Sequence, residues 1–288
     1  MIVLMTSCNT LRENDISFVK YVVVRNNTTD SLIFYDLENR ENDFSIKLPI
    51  DLPFWYRYPP IKIFDNQIFV MDINRTIIYK VDIESKKLEQ IYSNENIRFR
   101  NFHINGNMLY LLRQNKEDTD DNYIVFRDMV SGRENILKID SPADDLIVDL
   151  EENYVILDRD NEPEYTRRGK KIYTSTIYKL NLVDSTINII DDRTYGSFSI
   201  YGNKLLYNDF NGFSIIYDIL TERENKLYTN RGDKIISDDL MLAVVTFASN
   251  GGDPNVVNRA HYFVNINNGN QTLIFKSSLG FEIIGILR

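Results

Sequence analysis

Trp55-Tyr56-Arg57-Tyr58 sets three aromatic rings and a guanidinium side by side, and Trp55 is the chain's only tryptophan. Aromatic faces stack on a sugar or a peptide side chain, and a guanidinium clamps a carboxylate or phosphate through two parallel hydrogen bonds. Ile97-Arg98-Phe99-Arg100 repeats the mixture of guanidinium and ring. Trp55, Tyr56, Arg57, Tyr58, Arg98 and Arg100 are therefore the candidate ligand-binding residues. The competing use of Phe54 and Trp55 is as packing between neighbouring sheets, with the arginines paired to local carboxylates.

Other chemistry is thinly supplied. The chain has no Gly-x-Ser-x-Gly elbow, no phosphate-cradling glycine loop and no His-Glu-x-x-His helix. Cys8 is the sole cysteine, and His103 and His261 are the only histidines, so disulfide, thiolate-cluster and multi-histidine zinc chemistry are excluded. Asp158, Asp160 and Glu162 have the alternate spacing of a calcium loop, but Pro163 stands where the turn glycine belongs and Gly169 where the bidentate glutamate does. A channel carboxylate site of the kind used by metal-assisted hydrolases and lactonases would draw on Asp65, Asp149 and Glu282, with His103 as a base. The expectation is a protein without catalytic residues, metal or cofactor.

A net charge of −9 would repel a phosphate backbone, which disfavours nucleic acid as a partner. Arg167, Arg168, Lys170 and Lys171 form a basic run, but Asp158, Asp160, Glu162 and Glu164 precede it, and the loop is expected to compensate itself. Leu4-Met5-Thr6-Ser7-Cys8 resembles a bacterial lipobox, although only Met1-Ile2-Val3-Leu4-Met5 stands where a longer apolar segment belongs. The expectation is a tail over 1–15, with lipid attached at Cys8 and a cell-envelope location, or a cytoplasmic location without it. Residues 16–288 are expected to form one domain, and the protein to be a monomer.

The elements that must position these residues emerge from a repeat. Six segments share one plan: an alternating apolar strand, an Asp or Asn, a polar turn and a second short strand. The acidic or amide anchors are Asp36, Asp82, Asp128, Asn181, Asp218 and Asn265, with spacings of 46, 46, 53, 37 and 47 residues. That matches the roughly 40–50-residue period of propeller blades. The alternation has period two, as in Ile77, Tyr79 and Val81, which rules out helical repeats. Before five of the segments lie two further apolar runs joined by Asp-Asn, Asn-Gly-Asn or similar turns, which read as hairpins. Each unit thus has four strands, A to D. The first unit lacks an A strand and the C-terminus has one to spare, Phe281–Arg288. The fold class is all-β, a six-bladed β-propeller whose C-terminal strand joins the first blade.

The segment Ile68–Ile83, IFVMDINRTIIYKVDI, resembles the repeats of the NHL, YWTD and TolB-like six-bladed propellers through Asp72, Asn74-Arg75, Ile77-Ile78-Tyr79 and Asp82. The chain is also similar to six-bladed propeller lipoproteins of Bacteroidetes type. In such a fold the B–C and D–A connections share one face. Three B–C connections are long, 114–122, 158–174 and 247–260, and the stretch holding Trp55 is a D–A connection. Long loops gathered on one face imply a binding or scaffold protein, with a peptide, carbohydrate or protein partner recognised there.

Overall fold

The computed structural model describes residues 18–26, 29–48, 60–114, 122–139, 145–149, 153–165, 171–195, 198–227, 232–248, 257–278 and 281–288. Among them the regular elements are all β-strands. The first blade contains β1 (Tyr21–Asn26), β2 (Ser31–Asp36) and β3 (Glu41–Lys47). The second runs β4 (Ile61–Phe64), β5 (Gln67–Met71), β6 (Ile77–Asp82) and β7 (Lys87–Ser93). The third runs β8 (Phe99–Asn105), β9 (Met108–Gln114), β10 (Asn122–Asp128) and β11 (Glu134–Ile139). The fourth has β12 (Asp145–Asp149) and β13 (Tyr154–Asp160), then a small hairpin of β14 (Glu164–Tyr165) and β15 (Lys171–Ile172), then β16 (Ser175–Asn181) and β17 (Ile187–Thr194). The fifth runs β18 (Ser199–Tyr201), β19 (Lys204–Asn208), β20 (Ser214–Asp218) and β21 (Arg223–Leu227). The sixth runs β22 (Gly232–Ile235), β23 (Leu240–Ala248), β24 (Val257–Asn265) and β25 (Gln271–Ser278), and β26 (Phe281–Leu287) ends the chain.

Each blade is a four-stranded antiparallel sheet in sequence order, and in the first the order is β26-β1-β2-β3. β26 pairs from Tyr21↔Leu287 to Asn26↔Phe281, so the two ends of the chain share one sheet and β26 supplies the missing A strand. The fold is a six-bladed β-propeller. Pairing the last strand with the first also covers a sheet edge that would otherwise be open to another chain.

The chain divides into two compact units. One takes in Met1–Asn27, Ile33–Ser45 and Tyr195–Arg288 and holds most of the first blade with the fifth and sixth; the other, Thr28–Leu32 and Ile46–Thr194, holds the second, third and fourth. Within each, the middle blade is packed against neighbours on both faces, which is why its B strand reads as an unbroken apolar run. In β9, Leu109 and Leu111 pack with Met71, Ile78 and Tyr92 of the second blade. Tyr110 and Leu112, on the other face of the same strand, pack with Val155, Leu157 and Leu180 of the fourth. In the other unit, Leu206 and Ile216 meet Met241 and Val264, and Val22, Val24 and Ile283 meet Leu242 and Phe263.

Gly232 allows the fifth and sixth blades to approach. A Cβ there would lie 3.0 Å from both Leu206 Cδ1 and Ser214 Oγ. Its N–H donates to Ser214 Oγ at 2.7 Å, Ser214 donates to Asn208 Oδ1 at 3.2 Å, and Asn208 Nδ2 donates back to the Gly232 carbonyl at 2.9 Å. The buried polar groups thereby satisfy one another, as a site closed to water requires.

The six anchors of the repeat all perform one task. Each accepts N–H groups from the turn joining strands C and D. Asp36 Oδ1 takes Glu38 and Asn39 at 2.8 and 2.9 Å, Asp82 takes Glu84 and Ser85 at 3.0 and 3.1 Å, and Asp128 takes Val130 and Ser131 at 2.8 and 3.2 Å. Asn181 takes Val183 at 2.8 Å, Asp218 takes Leu220 and Thr221 at 3.1 and 2.8 Å, and Asn265 takes Asn267 and Asn268 at 3.0 and 3.1 Å. These are Asx turns, in which a short side chain mimics a backbone acceptor. The bonds favour the charged form: the Ser85 hydroxyl and N–H hold the Asp82 carboxyl below its usual range, and Ser131 does the same for Asp128.

Four residues after every anchor the backbone turns left-handed: Arg40 (φ 57), Lys86 (56), Gly132 (71), Ser185 (60), Glu222 (56) and Gly269 (72). Only two of the six are glycine, so four turns hold an L side chain in a region that costs it about 1 kcal/mol or more. Arg40 is exposed. Arg40→Gly is accordingly expected to raise stability by about 0.5–1 kcal/mol, while Arg40→Ala gives no gain. Urea midpoints of the two variants check this, and a glycine variant no more stable than the alanine variant would show that the turn is not strained.

Candidate functional site

Asp72 closes β5 and is buried. Its carboxylate accepts the N–H groups of Thr76 at 2.6 Å, Ile77 at 2.7 Å and Asn74 at 3.0 Å, drawing the B–C connection of the second blade into a tight turn. Arg75 sits inside this turn at φ 61. Its carbonyl accepts the Phe99 N–H at 2.9 Å, and its Nη1 donates to the Arg100 carbonyl at 3.3 Å. The turn of one blade is thus stitched to the first residues of the next blade's A strand.

At that point β8 carries one residue too many. Phe99 stands opposite Arg113 and Asn101 opposite Leu112, so Arg100 is the extra residue of a β-bulge. A strict period of two would send Phe99 and Phe102 to opposite faces. With Arg100 inserted, both pack in the wedge against Phe69, Met71 and Tyr92. Bulges commonly re-aim a side chain next to a functional site. Here the bulge places Arg100 half-buried at the end of the strand, beside exposed Arg98.

Arg113 joins them from β9, with its guanidinium carbon 5.6 Å from the Tyr123 ring centroid. The backbones of Arg75, Arg98, Arg100 and Arg113 are therefore neighbours where the second blade meets the third. Sequence reasoning singled out Arg98 and Arg100 and passed over the other two. The available signal was Arg75 itself, in a B–C turn on the favoured face, which its shortness hid. Asp72 directs both carboxylate oxygens at its own turn. Glu95 is exposed in the turn before Arg98 and forms no ion pair among the described residues.

Trp55, Tyr56, Arg57, Tyr58 and Cys8 lie outside the described residues, as do Arg167, Arg168 and Lys170. His103 is buried in β8 with its ring 4.6 Å from that of Phe64 and 6.0 Å from that of Tyr110. Asp65 occupies the exposed A–B turn of the second blade, where it and Asn66 have φ of 46 and 61, the left-handed pair of a type I′ reversal. That turn is at the opposite end of β4 from the arginine cluster. Glu282 is exposed on β26. Burial draws His261 down to about 4, with Arg259 adding to the shift, so it stays neutral at physiological pH.

The long connection of the fourth blade is more ordered than its composition suggests. β13 continues to Asp160, paired with Ser175, where a loop was expected. The acids that precede the basic run are used at its base: Asp158 is buried, Asp160 accepts from Ser175 at 3.1 Å, and Glu164 pairs with Arg193 at 3.0 Å. Asn161 ties the base together, donating to Thr174 Oγ1 at 3.1 Å and to the Asp192 carbonyl at 2.9 Å. From this base the β14–β15 hairpin presents Tyr165 and Tyr173, 63% and 62% exposed. The connection 247–260 is likewise shortened, since β23 and β24 pair out to Ala248↔Val257.

No family model and no curated protein matches the chain. Among solved structures, a chain in the crystal structure of a nidogen/laminin complex is similar at 12% identity, covering 74% of this chain and 81% of its own, with a TM-score of 0.41.

The bulge makes a definite prediction. Deleting Arg100 leaves Phe99 and Phe102 two positions apart and paired one-to-one with β9, so strict alternation keeps both in the wedge and the expected cost is about 1–2 kcal/mol. Phe99→Ala removes the ring itself and should cost about 3–5 kcal/mol. Urea unfolding distinguishes the two, and a deletion as costly as Phe99→Ala would mean that Arg100 is not the surplus residue of the bulge.

Proposed function

We propose that this protein is a non-enzymatic binding propeller that recognises a peptide or protein partner on the face carrying its B–C and D–A connections. The observation that supports it most is the fourth blade's hairpin arm. Two tyrosines are exposed beside a base secured by side-chain hydrogen bonds, so little conformational entropy is lost when they are covered. Exposed tyrosine on a pre-organised support is typical of recognition surfaces, because each ring contributes a large area and few rotors. Such an arrangement offers contact area and no reacting group.

Anchoring to a cell envelope through lipid on Cys8 belongs to the same reading. Intact mass of the N-terminal peptide from the native source tests it: added acyl mass supports anchoring, and an unmodified cysteine removes it.

The binding surface is tested by panning a displayed random-peptide library on the intact protein and on the Tyr165→Ala/Tyr173→Ala variant, with a glycan array in parallel. Enriched peptides are expected to bind the parent with Kd about micromolar. They should lose roughly tenfold or more on the double variant, with thermal unfolding unchanged. Peptides that bind both proteins equally would remove the arm from the site. Enrichment of glycans alone would replace the partner class.

A further inference from the structure

The turn between β8 and β9 is set up for a reaction that binding does not use. The two strands are joined by a two-residue reversal, Gly106-Asn107, closed by the Asn105↔Met108 pair. Gly106 has φ 54 and takes the first of the two positions, where such reversals favour glycine. Asn105, Gly106 and Asn107 are all exposed, and nothing lies within 4 Å of where a Gly106 Cβ would stand. Among the described residues no group accepts the Gly106 N–H. We infer that Asn105 is a self-modification site, where the side-chain amide is lost and an aspartyl or isoaspartyl residue takes its place.

The reaction needs only water and hydroxide. Hydroxide takes the Gly106 N–H proton, and the nitrogen attacks Cγ of Asn105. The new N–Cγ bond closes a five-membered succinimide, and the Cγ–Nδ2 bond breaks, with Nδ2 leaving as ammonia after taking a proton from water. Water then opens the ring. Breaking the N–Cγ bond gives aspartate, whereas breaking the bond from the Asn105 carbonyl carbon to the Gly106 nitrogen gives isoaspartate, with the main chain rerouted through Cβ and Cγ. Each product carries one new carboxylate, and nothing is oxidised or reduced. Attack is efficient because nucleophile and carbonyl are already tethered. Glycine has no Cβ to block the approach and turns freely about its backbone. Asn105 is the last residue of β8, so only the terminal pair of the ladder has to open.

The other Asn-Gly pairs show what protects such a site. The Gly212 N–H donates to the Asp209 carbonyl at 2.8 Å, and the Asn211 side chain bonds Asp209. The Gly269 N–H donates to the Asn265 carbonyl at 2.8 Å, and Asn268 Oδ1 accepts the Asn270 N–H at 2.9 Å. In both, the nitrogen that would attack and the amide it would attack are held by other groups. Asn250-Gly251 lies outside the described residues. Isoaspartate at 105 also has a structural consequence, because it adds one carbon to the main chain inside a reversal built for two residues. The Asn105↔Met108 pair loses its spacing, and Asn107, whose carbonyl accepts the Met129 N–H at 2.9 Å, is drawn away from the turn capped by Asp128.

The test ages the full chain in heavy-oxygen water at mildly alkaline and mildly acidic pH, digests it in ordinary water and maps the peptides by mass. The Asn105 peptide is expected to take up one heavy oxygen and to resolve into aspartyl and isoaspartyl forms, faster at alkaline pH. Its rate should exceed those of the Asn211 and Asn268 peptides roughly tenfold, since a bonded N–H must first be released there. Asn105→Gln, whose longer side chain would have to close a six-membered ring, should abolish the uptake with the urea midpoint unchanged. Equal rates at the three sites, conversion of Asn105 only in unfolded protein, or uptake that persists in Asn105→Gln would overturn the assignment. Aged protein should unfold at lower urea than both the fresh parent and Asn105→Asp, which has the charge without the added carbon. An aged midpoint equal to that of Asn105→Asp would overturn the main-chain consequence.

Discussion

Every blade depends on one small interaction, the acceptance of turn N–H groups, two in five blades and one in the fourth, by an aspartate or asparagine at the end of strand C. The turn groups cannot be paired by the sheet, because the chain reverses there and leaves the ladder. A short oxygen-bearing side chain at the last strand position reaches them without displacing the strand. In five blades the N–H of the following residue then donates to a carbonyl near the start of strand B: Leu37 to Lys20, Met129 to Asn107, Leu182 to Asn153, Ile219 to Asn203 and Ile266 to Asp239. The anchor therefore also sets where the third and fourth strands lie against the first two.

The same turns store strain. Arg40, Lys86, Ser185 and Glu222 adopt the conformation that glycine provides freely at 132 and 269. The capping bonds hold the turn, so the penalty is tolerated in four blades. Arg75 belongs to the same class of strained turn residue. There the strain coincides with a stitch between blades.

Much of the fold was legible. The anchors, their spacing, the period-two strands and the surplus C-terminal strand sufficed for six blades and for β26 in the first of them. Arg98 and Arg100 were legible as a pair at the entry to a blade. Arg75 and Arg113 were not, because they lie on a different turn and a different strand, and only pairing brings them to Phe99. The contacts of Asp160 with Ser175 and of Glu164 with Arg193 were not legible either, since those partners are distant in sequence and reach the acids through β16 and β17.

What the sequence determined by itself is the set of local rules: which residues alternate, where turns can form, and which oxygen caps each one. These follow from side-chain type and spacing over a few residues. Tertiary structure decided the left-handed residue of each turn, the bulge at Arg100 and the stitch of Arg75 to the start of β8. Each of those depends on register against a neighbouring strand and on the shape of a wedge between blades. No residue carries that information alone, since Phe99 faces the core only because Arg100 is one residue more than its partner strand can match.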